Sequence, residues 1–125
     1  MNISFAQKGA VATIVAILIV TVLEFPPPIG FEIRPQSGVS IYWLFFFLTI
    51  LITEIAAIPL ILKRPLLGAK FAVAAAVLNI LQVIADQMHL MQPEVAPLGY
   101  TLLEVTVAAL SLVLMYFSRH IRRTA

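Results

Sequence analysis

Four apolar runs organise the chain, at 5–23, 41–62, 71–91 and 98–117. Each is close to the ~20 residues that carry an α-helix across a ~30 Å hydrocarbon core. The pattern predicts an all-α, polytopic membrane protein: a four-transmembrane-helix antiparallel bundle, one membrane domain over 1–125, with an outer loop at 24–40 as the long connection. In the third run Asn79, Gln82, Asp86 and His89 follow one another at spacings of three, four and three. On a helix that rhythm places all four on one face. A membrane helix must hide such a stripe from lipid, so the rest of the chain has to supply partners.

The fourth run answers with Thr101, Glu104, Ala108 and Ser111, again three and four apart. The second carries Glu54 among Ile52, Ile55 and Ile58, with Pro59 one turn on. Pro59 deprives the Ile55 carbonyl of its helical donor, so a kink beside a buried acid is expected. Counted from the outer end of each segment at ~1.5 Å per residue, His89 lies at about 3 Å, Asp86 and Glu104 at about 8 to 9 Å and Gln82 at about 14 Å. Asn79, Glu54 and Ser111 follow at about 18 to 20 Å. Below them the same faces offer Ala72, Ala75, Ile58, Ile61 and Met115, with no ionisable group until the cytoplasmic turn. A continuous ion pore needs polar lining throughout. The expectation is a blind pocket, open outward, between helices 2, 3 and 4.

The connections add detail. Pro26, Pro27 and Pro28 end the first helix. The loop 24–40 mixes Phe25, Ile29, Phe31 and Ile33 with Glu32 and Arg34, and reads either as an interfacial loop or as a lid over the pocket. Tyr42 and Trp43 stand where an interfacial aromatic belt belongs. Pro65 and Gly68 act as breakers in a short turn at 63–70, and Pro93 and Pro97 close the outer turn. Alanines at 72, 74, 75 and 76, and the Ala12/Ala16 pair, offer small faces for close helix packing. Residues 119–123 are expected to stop the last helix.

Composition confirms the class, with 62% hydrophobic and only 11% charged residues. The basic residues, Arg34 apart, cluster at Lys8, at Lys63, Arg64 and Lys70, and at Arg119, Arg122 and Arg123 with His120 beside them. They read as topology signals, not as a nucleic-acid surface, and place both termini in the cytoplasm, of a bacterial inner membrane on this reading. No small-residue cleavage pattern follows the first run, which is taken as a retained helix.

Three of the six acids, Glu54, Asp86 and Glu104, fall inside the membrane with no Lys or Arg at their depth. An unpaired charge at mid-bilayer costs at least ~2.5 to 3.5 kcal/mol. A protonated Glu54 is therefore expected, unless a cation or a His89 imidazolium compensates. Asp86-x-x-His89 has the spacing of one half of a di-iron carboxylate element, and Asp86, His89 and Glu104 are the candidate ligands if a divalent ion binds. Only one such element is present, so no metal is expected. There is no cysteine, no phosphate loop and no nucleophile motif, which leaves no cofactor assigned and argues against an enzyme.

The chain resembles the DoxX-like group of small four-helix membrane proteins. The matching stretches are Thr53-Glu54-Ile55 with Pro59 and the basic Lys63-Arg64, Leu81-Gln82, and Leu103-Glu104 before a basic tail, within about residues 40 to 123. The resemblance implies a link to quinone-coupled oxidation of sulfur compounds, and a quinone-linked oxidoreductase component if the protein is an enzyme. Small multidrug transporters, also four-helix chains, carry their essential glutamate in the first helix, where this chain has no acid. The leading expectation is a pocket for a small amphipathic or quinone-like ligand, built from Glu54, Asn79, Gln82, Asp86, His89, Glu104 and Ser111. An accessory subunit of a larger membrane complex and a proton-coupled small-molecule exporter are the alternatives. A homo-oligomer stays open, and no nucleic-acid partner is expected.

Overall fold

The computed structural model describes residues 3–23, 41–88, 90 and 98–124. They form four helices, α1 (Phe5–Val22), α2 (Ile41–Lys63), α3 (Pro65–Gln87) and α4 (Leu98–Thr124). All four contain a stretch long and apolar enough to cross a membrane, and the protein is an integral membrane protein. The outer loop 24–40, with Glu32 and Arg34, lies outside the described residues, as do His89, Pro93 and Pro97.

Each helix buries residues three and four apart. On α4 these are Glu104, Val107, Ser111, Leu114, Ser118 and Ile121; on α2, Ile50, Glu54, Ala57 and Ile61; on α1, Gln7, Ala10, Ile14, Ile17 and Thr21. The α3 seam is built of small residues, Gly68, Ala69, Ala72, Ala75 and Ala76, before Asn79 and then Asp86. Such seams pack ridges into grooves with helices nearly antiparallel. Helix α3 lies between α2 and α4, and α1 packs mainly on α4. Lipid tails are as apolar as leucine, so close van der Waals approach drives the association, and that is what the small α3 seam supplies.

Three expectations about the basic end need correction. The turn expected at 63–70 is reduced to Arg64, because Pro65 opens α3 at a position where its missing N–H costs nothing. Gly68 is not a breaker but a contact: a Cβ there would stand 2.3 Å from the backbone nitrogen of Ile61 and 2.5 Å from its Cα. The residues 119–123 do not stop α4, which runs on to Thr124. Arginine is a good helix former and suits a helix C-terminus, and Ser118 and Ile121 are buried and hold the extra turns in place. The close face of α1 also differs from expectation. Ala12 is exposed, whereas Ala10 is fully buried and Gly9 lies against the ring of Phe117.

One side chain ties this end together. The Ile61 carbonyl would accept from the N–H of residue 65, and residue 65 is proline. Gln7 takes that place, its Nε2 donating to the Ile61 oxygen at 2.8 Å. Its Oε1 accepts from the Ser4 N–H at 2.9 Å, and the Ser4 hydroxyl accepts from the Gln7 N–H at 3.1 Å, completing a capping box. Gln7 therefore caps α1 and α2 together.

Two outcomes follow. Gly68→Ala should destabilise the bundle by at least ~1 to 3 kcal/mol, since backbone rather than a flexible side chain blocks the methyl group. An unfolding titration in mild detergent that showed no loss would contradict the close α2–α3 approach. Gln7→Ala should cost about 1 to 3 kcal/mol in the same titration, the range for a buried carbonyl left without a donor.

A buried polar seam between the helices

Every residue expected to line the pocket that lies among those described is buried or half-buried. Glu54 and Ser111 are 0% exposed, Asn79 and Asp86 5% and Glu104 6%, and Gln82 is half-buried. Their burial follows from the seam positions set by the heptad-like spacing. The same spacing places Thr101 and Ala108 half-buried, with Val107 in the buried position beside Ala108.

The central feature joins α2 to α3. The Asn79 Nδ2 donates to Glu54 Oε1 at 2.5 Å. Glu54 Oε2 is buried and has no hydrogen-bond partner among the described residues. An orphaned buried oxygen of this kind costs on the order of 1 to 3 kcal/mol, so the second oxygen is what makes this carboxyl unlike a satisfied structural one. Toward the basic end, Ala57, Ile61, Ala69, Ala72, Ala76, Leu114 and Ile121 form a dry core. That core lies on the basic side of Asn79.

Toward the opposite end, Gln87 Nε2 donates to Glu104 Oε2 at 3.3 Å, linking α3 to α4. The sequence reading placed Asp86 opposite Glu104 and overlooked Gln87. The 79, 82, 86 stripe left Gln87 on a neighbouring position, but a long amide reaches across from there. Asp86 is buried beside it on the seam. His89, the remaining member of the stripe, lies outside the described residues.

Ser111 does not join the carboxyl pair. Its hydroxyl donates to the Val107 carbonyl of its own helix at 2.8 Å. Thr13, Thr21, Thr49, Thr53, Thr106 and Ser118 likewise bond the carbonyl four residues back. In lipid this local bond satisfies a hydroxyl without help from a second helix. Carboxyls and amides have no such local solution when helical, which is why they and not the hydroxyls bridge helices here.

Among the described residues, which do not include His89, no group of three acidic, histidine or cysteine side chains could hold a metal ion. No protein-family model matches the chain, and no curated protein or solved structure is significantly similar to it.

A double substitution separates the role of the Glu54–Asn79 pair in folding from any other role. Asn79→Leu alone leaves a second buried carboxyl oxygen orphaned and should cost about 1 to 3 kcal/mol. Replacing both, Glu54→Leu with Asn79→Leu, should recover most of that loss, giving a coupling of roughly 0.5 to 3 kcal/mol in a double-mutant cycle of detergent unfolding. Strictly additive losses would mean that the two side chains do not interact.

Proposed function

We propose that the polar seam between α2, α3 and α4 is a binding site, entered from the end opposite the basic one, for a small amphipathic ligand of the quinone-like class. The observation that carries this reading is Glu54: fully buried, held at one oxygen by Asn79, with its other oxygen unpartnered among the described residues. A stable membrane bundle gains nothing from an orphaned carboxyl oxygen, and intramembrane acids mark functional sites by default. A carbonyl or hydroxyl group on a ligand would supply the missing partner. An apolar ligand body would suit the seam around it.

Glu54 would exchange a proton or hydrogen bond with the polar end of the ligand. Asn79 fixes its orientation, Asp86 and Glu104 line the route with Gln82 and Gln87, and the dry core stops passage to the other side. His89 would belong to the mouth. The DoxX-like resemblance of residues 40 to 123 supports the quinone class, and the basic end would then face the cytoplasm of a bacterial inner membrane, with both termini on that side.

A second reading has its own support. The Asn79 and Gln87 amides each link two helices, as polar glue in an accessory subunit of a larger membrane complex would. One experiment weighs both. The protein, purified in mild detergent, is unfolded thermally with and without decylubiquinone. A ligand at 100 times its dissociation constant stabilises by about 2.7 kcal/mol, a shift readily measured. The binding site predicts this shift in the wild type and its loss in Glu54→Gln, whose shape is unchanged. A shift that survived Glu54→Gln, Asp86→Ala and Glu104→Ala alike would refute the site, and no shift in the wild type would favour the polar glue.

A further inference from the structure

Because α4 continues to Thr124, its outer face carries a second feature unrelated to the polar seam. Leu112, Met115, Tyr116, Arg119, Arg122 and Arg123 recur three and four residues apart, on one side of the helix. Together with Val73 of α3 they line an open groove of about 770 Å³. That volume falls within the ~300 to 1,000 Å³ of ordinary ligand sites. All three arginines are exposed. The sequence contains no acidic residue between Glu104 and the end of the chain, nor between Glu54 and Asp86 on the neighbouring helices. The groove therefore gathers positive charge with no acidic side chain from α3 or from this half of α4 to neutralise it.

We infer that this groove binds one anionic phospholipid from the leaflet at the basic end of the bundle. The lining changes along α4 in the order of a phospholipid's own parts. Leu112, Met115 and Val73 are apolar, as an acyl chain requires; Tyr116, amphipathic, lies at the level of the ester groups; the arginines come last, where the phosphate would be. The lengths agree as well. Arg119 to Arg123 covers about 6 Å along the helix, close to one headgroup layer of a bilayer whose polar regions add ~10 to 15 Å over both faces. Guanidinium groups bind phosphate oxygens as a fork, and basic residues at a membrane surface select net negative lipid over zwitterionic lipid. Exposed Lys70, one helical turn before Val73 on α3, adds charge at the same end.

The groove is distinguishable from charge in general because the same end of the bundle holds other basic residues. Lys8, Lys63 and Arg64 are exposed there and do not line it. In the test, purified protein is equilibrated in mixed micelles with equal dioleoyl-phosphatidylglycerol and dioleoyl-phosphatidylcholine, and retained lipid is counted by native mass spectrometry. The wild type should retain phosphatidylglycerol over phosphatidylcholine by about tenfold or more, the preference that two or three basic contacts supply. The triple variant Arg119→Gln, Arg122→Gln, Arg123→Gln should lose it. Removing the same charge elsewhere, by Lys8→Gln, Lys63→Gln and Arg64→Gln, should leave most of it. Val73→Trp, which fills the apolar part without changing charge, should lose it too. Unfolding temperatures of the variants identify any that have lost the fold, and the preference is compared among the remainder. Three results would each overturn the inference: a wild type without preference, which would turn the arginines toward an acidic protein segment; equal loss in the two triple variants; or full retention in a folded Val73→Trp.

Discussion

Hydrocarbon offers no hydrogen bonds, so every polar group within the span must find its partner inside the protein. The structure can be read as a set of answers to that single demand. Hydroxyls answer it locally, each bonding a carbonyl four residues back on its own helix. Amides answer it between helices, Asn79 to Glu54 and Gln87 to Glu104. Gln7 does so at the basic end, where Pro65 has left the Ile61 carbonyl without a donor. Glu54 Oε2 is the group for which the described residues give no answer, and for that reason the functional reading rests on it.

Association between helices in lipid depends on closeness of approach, and here closeness is concentrated on α3. Its seam of Gly68, Ala69, Ala72, Ala75 and Ala76 brings the backbone of α2 within contact distance, and α4 packs along its other side. The small residues occupy the half of α3 nearest the basic end, and the polar residues the other half. Tight, apolar packing thus occupies the half of the seam without carboxyls or amides. The polar half carries Asn79 and Asp86, next to Glu54 and Glu104 on the flanking helices. One helix with a graded seam therefore contributes both the tight apolar packing and the polar links of the bundle.

Much of this was legible beforehand. The four spans and the burial of Glu54, Asn79, Asp86, Glu104 and Ser111 follow from two rules. Long apolar runs must cross the bilayer, and polar residues three or four apart must face inward. What was not legible lies mostly at helix ends. Pro65 and Gly68 are read as breakers because proline and glycine weaken a helix interior, and residues 119–123 as a stop because the apolar run ends there, yet helix position or packing accommodates each of them. Pro65 sits at the first position of α3, Gly68 is needed for an approach that no other residue permits, and buried Ser118 and Ile121 carry α4 through its basic turns.

The sequence by itself determined the class of protein, the number of spans and which faces turn inward, because these depend on composition and periodicity within one segment. Tertiary structure alone decided the partners. That Asn79 reaches Glu54, that Gln87 reaches Glu104, and that Gln7 caps a helix 54 positions away depend on how helices distant in sequence are set side by side. Periodicity has no access to that information, since a seam position specifies a direction from its own helix axis and leaves open what stands opposite. The basic groove is the clearest case. Its arginines look like a topology signal when read along the chain, and become the lining of a groove only once α4 continues beside Val73 of α3.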